Sequence, residues 1–491
     1  MKMSVRKAFA WSFAGQGLTL FAMLVALVWL SRILTPYEMG AYATGQAVNG
    51  ILAALSALGL GSYIIRERTV DREVLGGALF ITLTLSLLLT VVTFVGAEAI
   101  AVAVGDAKII PVVRLIAFVP LINAFELVPL ALLQREMRFG AVSLLLAVRA
   151  VVGTAVAISA ALLGARYMCV AYGAVAASLI SVIGSHLAAP GHLRLVPSLA
   201  RWRTMLLFGV KILGVGGLSI LAMRASELVL GSMLGLAALG IYSRASTVYN
   251  TLYSSVFGGI GRVLMARLAV DQRAQVSLRT SYIGGLHLSL AVMWPVLLGI
   301  AVLAGPAVQV VFGPEWVGAS GPLAILMIAQ AIAMIFGMSY ELFILRDELG
   351  RQVRFESIRS LAGLAFFTFG CFFGIEAAAY GRLAEVLFAT FMYVPQILRM
   401  TDVRAREFAR ALFTNAIIAA ASIAPGAILL LVVGTSALPP LLLIGASILG
   451  GAIFWLVAVH LVRHPLESEL LNALYKGRVA LGQFRRSGNS T

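Results

Sequence analysis

Six basic residues fall inside stretches that are otherwise apolar: Arg114, Arg149, Lys211, Arg224, Arg244 and Arg382. Well inside such stretches stand only three acids, Glu126, Glu227 and Glu385. An ionisable group at bilayer depth costs on the order of 3 kcal/mol even on lenient insertion scales, so each of these needs a partner, water or a task. Arg224 with Glu227, and Arg382 with Glu385, are spaced i,i+3 and can meet on one helical face, where self-neutralisation competes with a substrate role. Arg149 sits near the middle of its stretch with no acid within a turn. Arg244, Lys211 and Arg114 also lack a same-helix acid, but each lies nearer a span end, from which a long stem can carry its head to the interface. Six cations against three acids favour an anionic ligand and disfavour an organic cation. Arginine suits phosphate because its planar fork donates two parallel hydrogen bonds. Glu126, with Asn123 one turn before it, is the acid best placed to exchange a proton or sodium ion, with a salt bridge to Arg149 as the alternative; Glu227 and Glu385 are the other acids for ion coupling.

The elements that must hold these groups are membrane spans. Of 491 residues 61% are hydrophobic and only 12% charged, against roughly 25% charged in a soluble domain. A spanning helix needs about 20 predominantly apolar residues. Fourteen such stretches lie near 10–31, 40–64, 75–97, 109–133, 141–163, 167–189, 205–229, 237–261, 281–304, 321–344, 360–375, 377–398, 411–434 and 437–461. The expected fold is therefore an all-α polytopic membrane protein with about fourteen transmembrane helices. The first run follows Lys2, Arg6 and Lys7 but is too long for a signal-peptide core and lacks an Ala-x-Ala-like site, so it reads as a retained span.

The net charge of +16 is mostly topology. With the amino terminus placed in the cytoplasm, 28 of the 37 Lys and Arg fall on the cytoplasmic side and only Arg32, Lys108 and Arg166 on the other. That asymmetry is the expected positive-inside bias. It places both termini in the cytoplasm and removes the need for a nucleic-acid partner. Cys169 and Cys371 are too few for a disulfide framework and lack C-x-x-C spacing. His186, His192, His287, His460 and His464 form no H-E-x-x-H pattern, and no G-x-S-x-G elbow or P-loop occurs. The sequence points to no enzyme, metal or cofactor.

Offsetting the chain by 200 residues over 17–61 gives twelve identities in 45 positions, among them Gly17/Gly217, Leu34/Leu234, Gly40/Gly240, Tyr42/Tyr242 and Gly59/Gly259. Six spans separate the copies, so both run the same way, as in a parallel repeat about the membrane normal. The expected organisation is two pseudo-symmetric six-helix bundles, 1–203 and 204–398, then helices 13 and 14 over 399–462 and a cytoplasmic tail 463–491. Gly231 and Gly235 form a G-x-x-x-G, and Gly214, Gly216 and Gly217 crowd the seventh span; small residues of this kind serve close helix packing. Pro120, Pro129 and Pro295 remove backbone donors mid-span and predict kinks. Tyr242 and Tyr249 are aromatics that can stack on a sugar ring, although packing is the commoner use of aromatics on membrane helices.

The segments "RILTPYEMGAYA" (32–43), "LLQREMRF" (132–139), "LGLAALGIYSRA" (234–245) and "VVFGPEWVGA" (310–319) resemble the polysaccharide-transporter branch of the multidrug, oligosaccharidyl-lipid and polysaccharide exporter superfamily. The resemblance implies two lobes that rock to give alternating access. It also implies a flippase that carries a polyprenyl-diphosphate-linked oligosaccharide across the bacterial inner membrane for cell-surface polysaccharide synthesis. A polysaccharide polymerase and a chain-length protein are the partners it implies, and a monomer is expected. Two rival readings come with it. A multidrug antiporter of the same superfamily prefers a negative cavity, against the six-to-three count. A membrane glycan polymerase or ligase needs a sizeable outer loop, and the loops on that face are short.

Overall fold

A few helices begin where the sequence supplies a side-chain cap. "LTPYE" is a capping box: the Thr35 hydroxyl accepts from the Glu38 backbone N–H (3.3 Å) while the Glu38 carboxylate accepts from the Thr35 N–H (3.1 Å). Pro36 occupies the first helical position, where its missing N–H is not needed. Asp71 caps its helix in the same sense through the Val74 N–H (2.8 Å).

The computed structural model describes residues 5–189, 198–199, 201–212, 217–252, 267–434 and 438–467, with side chains from residue 15 onward except those of 57, 211 and 212. Among the described residues the chain is all-helical. In chain order the helices are α1 Val5–Ile33, α2 Pro36–Ala57, α3 Leu60–Arg66, α4 Arg72–Val104, α5 Ile110–Ile116, α6 Val119–Ala124, α7 Leu127–Arg135, α8 Phe139–Ala160 and α9 Cys169–Ala188. They continue as α10 Trp202–Ile212, α11 Leu218–Leu234, α12 Leu236–Leu252, α13 Leu278–Val302, α14 Ala304–Val311, α15 Ser320–Ala333, α16 Ser339–Leu345, α17 Leu349–Cys371, α18 Ile375–Thr401, α19 Ala405–Val433 and α20 Pro440–Leu461.

Among the described residues, ten segments are long and apolar enough to cross a membrane, one of which, 139–188, contains both α8 and α9. The large apolar side chains left exposed, such as Val102, Leu163 and Leu431, fit a lipid-facing surface. The eleventh span differs from expectation. Its helix starts at Leu349 rather than near 360, so Arg351, Arg354, Glu356 and Arg359 lie on a helix instead of in a loop. Charge density concealed the helix, because a hydropathy reading treats these residues as connection.

Proline segments the fourth span. Pro111, Pro120 and Pro129 each sit in the opening turn of a short helix, α5, α6 and α7 in turn, where a missing N–H leaves no bond unmade. The carbonyl of Ala117, at the first break, accepts from the Thr90 hydroxyl (2.8 Å). Pro295 leaves α13 continuous, and the carbonyl it cannot serve, Ala291 O four residues back, accepts from the Trp455 indole N–H (2.8 Å). Gly235 does not pack as half of a G-x-x-x-G pair. Its φ of 84° ends α11 and turns the chain directly into α12, and Gly231 alone serves packing, against Leu239. Gly214 and Gly216 lie outside the described residues.

Contacts divide the chain into two units. The first comprises 1–248, 312–319 and 352–382; the second comprises 249–311, 320–351 and 383–491. Within the first, Val48, Leu52, Ala97, Val112, Ile116 and Val170 form one buried cluster, and Leu60, Ile64, Val74, Ala78, Val128 and Leu132 another. Within the second, Ala291, Ile418, Ala458 and Val459 pack together. Beside them the His464 ring is pushed down to about 4 by burial and by the neighbouring His287, whose Nδ1 lies 3.1 Å from His464 Nε2.

Arg135, from the "LLQREMRF" segment, is a fixed strut. Its guanidinium donates to the carbonyls of Ile64 (2.9 Å), Ile65 (3.3 Å), Arg68 (3.0 Å) and Glu67, closing the carboxyl end of α3. The carbonyls of Ile64 and Ile65, in the last turn of α3, have no partner within that helix. Arg135→Ala is expected to lower stability by about 2 kcal/mol, the scale of hydrogen bonds to a charged donor. Arg135→Lys should recover only part of that loss, because one ammonium cannot span the set. Thermal unfolding of the solubilised protein reads both.

Candidate functional site

In the first unit Arg224, Glu227 and Arg382 gather at α11. Arg224 NH1 donates to both oxygens of Glu227, at 2.9 and 3.2 Å, as the i,i+3 spacing allows. The Arg224 stem lies against α2 at Gly50, where a Cβ would stand 2.6 Å from its Nε. Arg382 reaches the same helix, donating to the Ser226 hydroxyl (3.1 Å), with its guanidinium 5.1 Å from the centre of the Phe367 ring. Glu385, one turn on and counted with the second unit, is buried and partnered.

A further pair extends the cluster. Glu356 accepts from the Ser219 hydroxyl (2.6 Å) and from Arg359 Nε (3.2 Å), and the Ser360 and Ser219 hydroxyls are 3.3 Å apart. Neither Glu356 nor Arg359 was among the expected site residues. Their signal was present: they share the i,i+3 spacing of the other two Arg/Glu pairs, hidden by assignment to a loop.

Arg149 has the partner that its own helix lacks. Glu126, buried at the break between α6 and α7, accepts from Arg149 NH1 (3.0 Å) and from the Ser181 hydroxyl (2.5 Å). Of the two alternatives the sequence left for Glu126, the salt bridge to Arg149 is the one present, a bond across helices that same-helix spacing cannot reveal. One turn before Glu126, the buried Asn123 Oδ1 has no hydrogen-bond partner. Arg114 pairs with Glu98 (2.9 Å) at a half-exposed position and lies 5.3 Å from the Phe94 ring. The side chain of Lys211 lies outside the described residues.

Arg244 differs from all of these. It is 5% exposed and among the described residues no carboxylate stands within ion-pair distance, whereas Arg114 and Arg224, whose buried Nε atoms likewise lack a partner, each have a glutamate. Its guanidinium lies 6.0 Å from the centre of the Tyr42 ring, whose hydroxyl accepts from Gln46 (3.2 Å). Tyr242 is buried edge-on against Phe367, with centroids 5.3 Å apart, and so serves packing. Outside the spans, Arg399 and then Arg351 hold the Glu348 carboxyl below its ordinary range by hydrogen bonds and charge.

The fold and these buried charges define a multi-pass helical membrane protein with charged side chains buried among its helices. A family model described as polysaccharide biosynthesis protein matches residues 29–321, more than half of the sequence, and the chain belongs to that family. It is 24% identical over 337 residues to the succinoglycan biosynthesis transport protein ExoT of Rhizobium meliloti (strain 1021), covering 67% of each chain. An uncharacterised membrane protein in the cps region of Klebsiella pneumoniae is 24% identical over 390 residues, covering 78% of this chain and 80% of that one. In fold, the chain is similar to a lipid II flippase MurJ in an inward closed conformation, with a TM-score of 0.75 at 12% identity over 91% of this chain and 98% of that one. It is also similar to an inward-facing multidrug transporter of the MATE family, with a TM-score of 0.62 at 16% identity over 79% of this chain and 96% of that one.

Proposed function

We propose that this protein is a flippase that moves a polyprenyl-diphosphate-linked oligosaccharide across the bacterial inner membrane by alternating access, from the charge-rich cytoplasmic face to the charge-poor one. The observation that carries the reading is Arg244, a buried guanidinium with an unused donor and, among the described residues, no neutralising carboxylate. A lipid-linked diphosphate has an anionic head that hydrocarbon rejects and a tail that hydrocarbon accepts, so the protein need shelter only the head. A guanidinium held without a counter-ion gains most when phosphate arrives, since the cost of desolvating it has already been met by the fold. A cationic drug gains nothing from such a group, which sets the multidrug antiporter behind the flippase despite the shared fold. Membership of a polysaccharide biosynthesis family, and a relative named for succinoglycan transport, support the glycan.

Arg149, Arg224, Arg382, Arg114 and Lys211 take secondary places in this reading. Arg149 and Arg224 reach phosphate by exchanging a glutamate for it. That exchange gives the acids a coupling role: a proton arriving at Glu126 weakens its hold on Arg149 and frees a guanidinium for the substrate, and Glu227 can do the same for Arg224. Coupling through Glu126, Glu227, Glu385 or Asn123, and a polymerase or chain-length protein as partner, belong to the same proposal.

The test is the fate of labelled lipid-linked oligosaccharide in inverted vesicles that carry the full chain. The expected result is protein-dependent translocation with no change in glycan length. Growth of the glycan points to a polymerase or ligase instead, and no translocation of any lipid-linked glycan removes the reading.

A further inference from the structure

The passage that the sequence writes twice meets itself in the fold. Pro36 and Gly40 open α2, and Leu236 and Gly240 open α12, two hundred residues on. A Cβ on Gly40 would overlap the Leu236 carbonyl oxygen and stand 2.9 Å from Leu236 Cα. A Cβ on Gly240 would overlap the Pro36 carbonyl oxygen and stand 2.9 Å from Gly40 N. The contact is reciprocal, each glycine facing the carbonyl of the residue four places before the other. Backbones come this close only where no Cβ intervenes, and the joint rests on Cα–H to carbonyl contacts.

Such a joint can part without stranding polar groups. Thr44 donates to the Gly40 carbonyl (3.0 Å) and Ser243 to the Gly240 carbonyl (2.9 Å), each within its own helix. The crossing lies at the charge-poor end, and its surroundings in the same unit are closed. Met39 and Leu239 beside the glycines are fully buried. Trp316, 1% exposed, donates its indole N–H to Ser31 O (2.8 Å), and a Cβ on Gly318 would touch Ile241 at 3.4 Å. One turn beyond Gly240 along α12 comes Arg244.

We propose that the Gly40/Gly240 crossing is the gate that shuts the charge-poor end over Arg244, its two leaves being the two copies of the repeat. The inference rests on the alternating-access reading above. Its readout is thiol accessibility and not transport, so the two can fail separately.

The reporter is Ser243→Cys, at a position 6% exposed next to Arg244, in the full chain reconstituted in vesicles. The native Cys169 and Cys371 are both buried, and the unsubstituted protein gives the background. A membrane-impermeant maleimide added at the charge-poor face is expected to label this thiol slowly, and the same reagent at the charge-rich face to label it faster. Gly40→Ala and Gly240→Ala should each raise labelling from the charge-poor face about tenfold, the population shift expected from overpacking a methyl into a tight crossing. Gly40→Val should raise it further. Gly96→Ala, where an added Cβ meets nothing within 4 Å, should leave the rate unchanged.

Labelling of both alanine variants at the parent rate overturns the gate, as does an equal rise with Gly96→Ala. Should the glycine variants fail to reach the membrane, the parent reporter decides: ready labelling from the charge-poor face, or equal protection from both faces, overturns the proposal. One-sided protection that opens with Ala, in a protein that translocates no lipid-linked glycan, keeps the gate and removes the substrate.

Discussion

Arg244→Met is expected to abolish translocation while making the protein harder to unfold. The two effects share one cause. The guanidinium is buried, its Nε lacks a partner, and no carboxylate among the described residues neutralises it. Holding a charge at bilayer depth in that state costs on the order of 3 kcal/mol, of which the Tyr42 ring face returns only part, about 1 to 2 kcal/mol for a desolvated cation–π contact. Methionine fills much of the same volume and carries no charge, so thermal unfolding should move upward by roughly 1 to 2 kcal/mol. Translocation should move the other way. Each hydrogen bond from a guanidinium to phosphate is worth about 1.5 to 3 kcal/mol, so losing a two-pronged contact should slow transport by a factor on the order of 100 or more. Arg244→Lys keeps the charge but loses the fork, and should fall between. A methionine variant that transports normally removes Arg244 from the site; one that unfolds more easily assigns Arg244 a packing role instead.

The spans were legible because composition writes them: a hydrocarbon solvent leaves little choice of residue or of secondary structure, and α8, α19 and α20 lie close to their expected bounds. Partners across helices could be offered only as alternatives, as the salt bridge from Glu126 to Arg149 was. Glu126 and Arg149 are 23 positions apart in sequence, and only the break at Glu126 between α6 and α7 brings its carboxylate to α8. The prolines that make that break were visible, but not the direction in which it turns the side chain. Glu356 and Arg359 were missed for the opposite reason: four charged residues in nine positions read as a loop, whereas internal pairing and the Ser219 hydroxyl let them sit on a helix. The repeat gave Gly40/Gly240 as one identity among twelve. Only the reciprocal approach of the two backbones tells that pair from Gly17/Gly217, where a Cβ on Gly17 would meet nothing within 4 Å.

Arg149→Ala should be costly for a reason that Arg244 does not share. It leaves Glu126, 4% exposed, with only the Ser181 hydroxyl among the described residues to hold its charge. Breaking a buried pair from one side typically costs 3 to 5 kcal/mol. Because the Arg149 side chain is itself about one-third accessible, the lower end applies, about 3 kcal/mol. Glu126→Gln removes the charge and keeps a hydrogen-bonding group of the same shape, so that single variant should lose less. The double variant Arg149→Ala, Glu126→Gln should regain at least half of the stability lost with Arg149→Ala alone, giving a coupling energy of about 1.5 kcal/mol or more in a double-mutant cycle. Transport separates the structural role from the functional one. If Arg149 acts only by neutralising Glu126, the double variant recovers translocation along with stability. If Arg149 also carries phosphate, the double variant is stable and inactive, which is the outcome the exchange mechanism requires. Recovery of both properties would confine Arg149 to holding the broken span in place and leave Arg244 as the principal ligand for the anion.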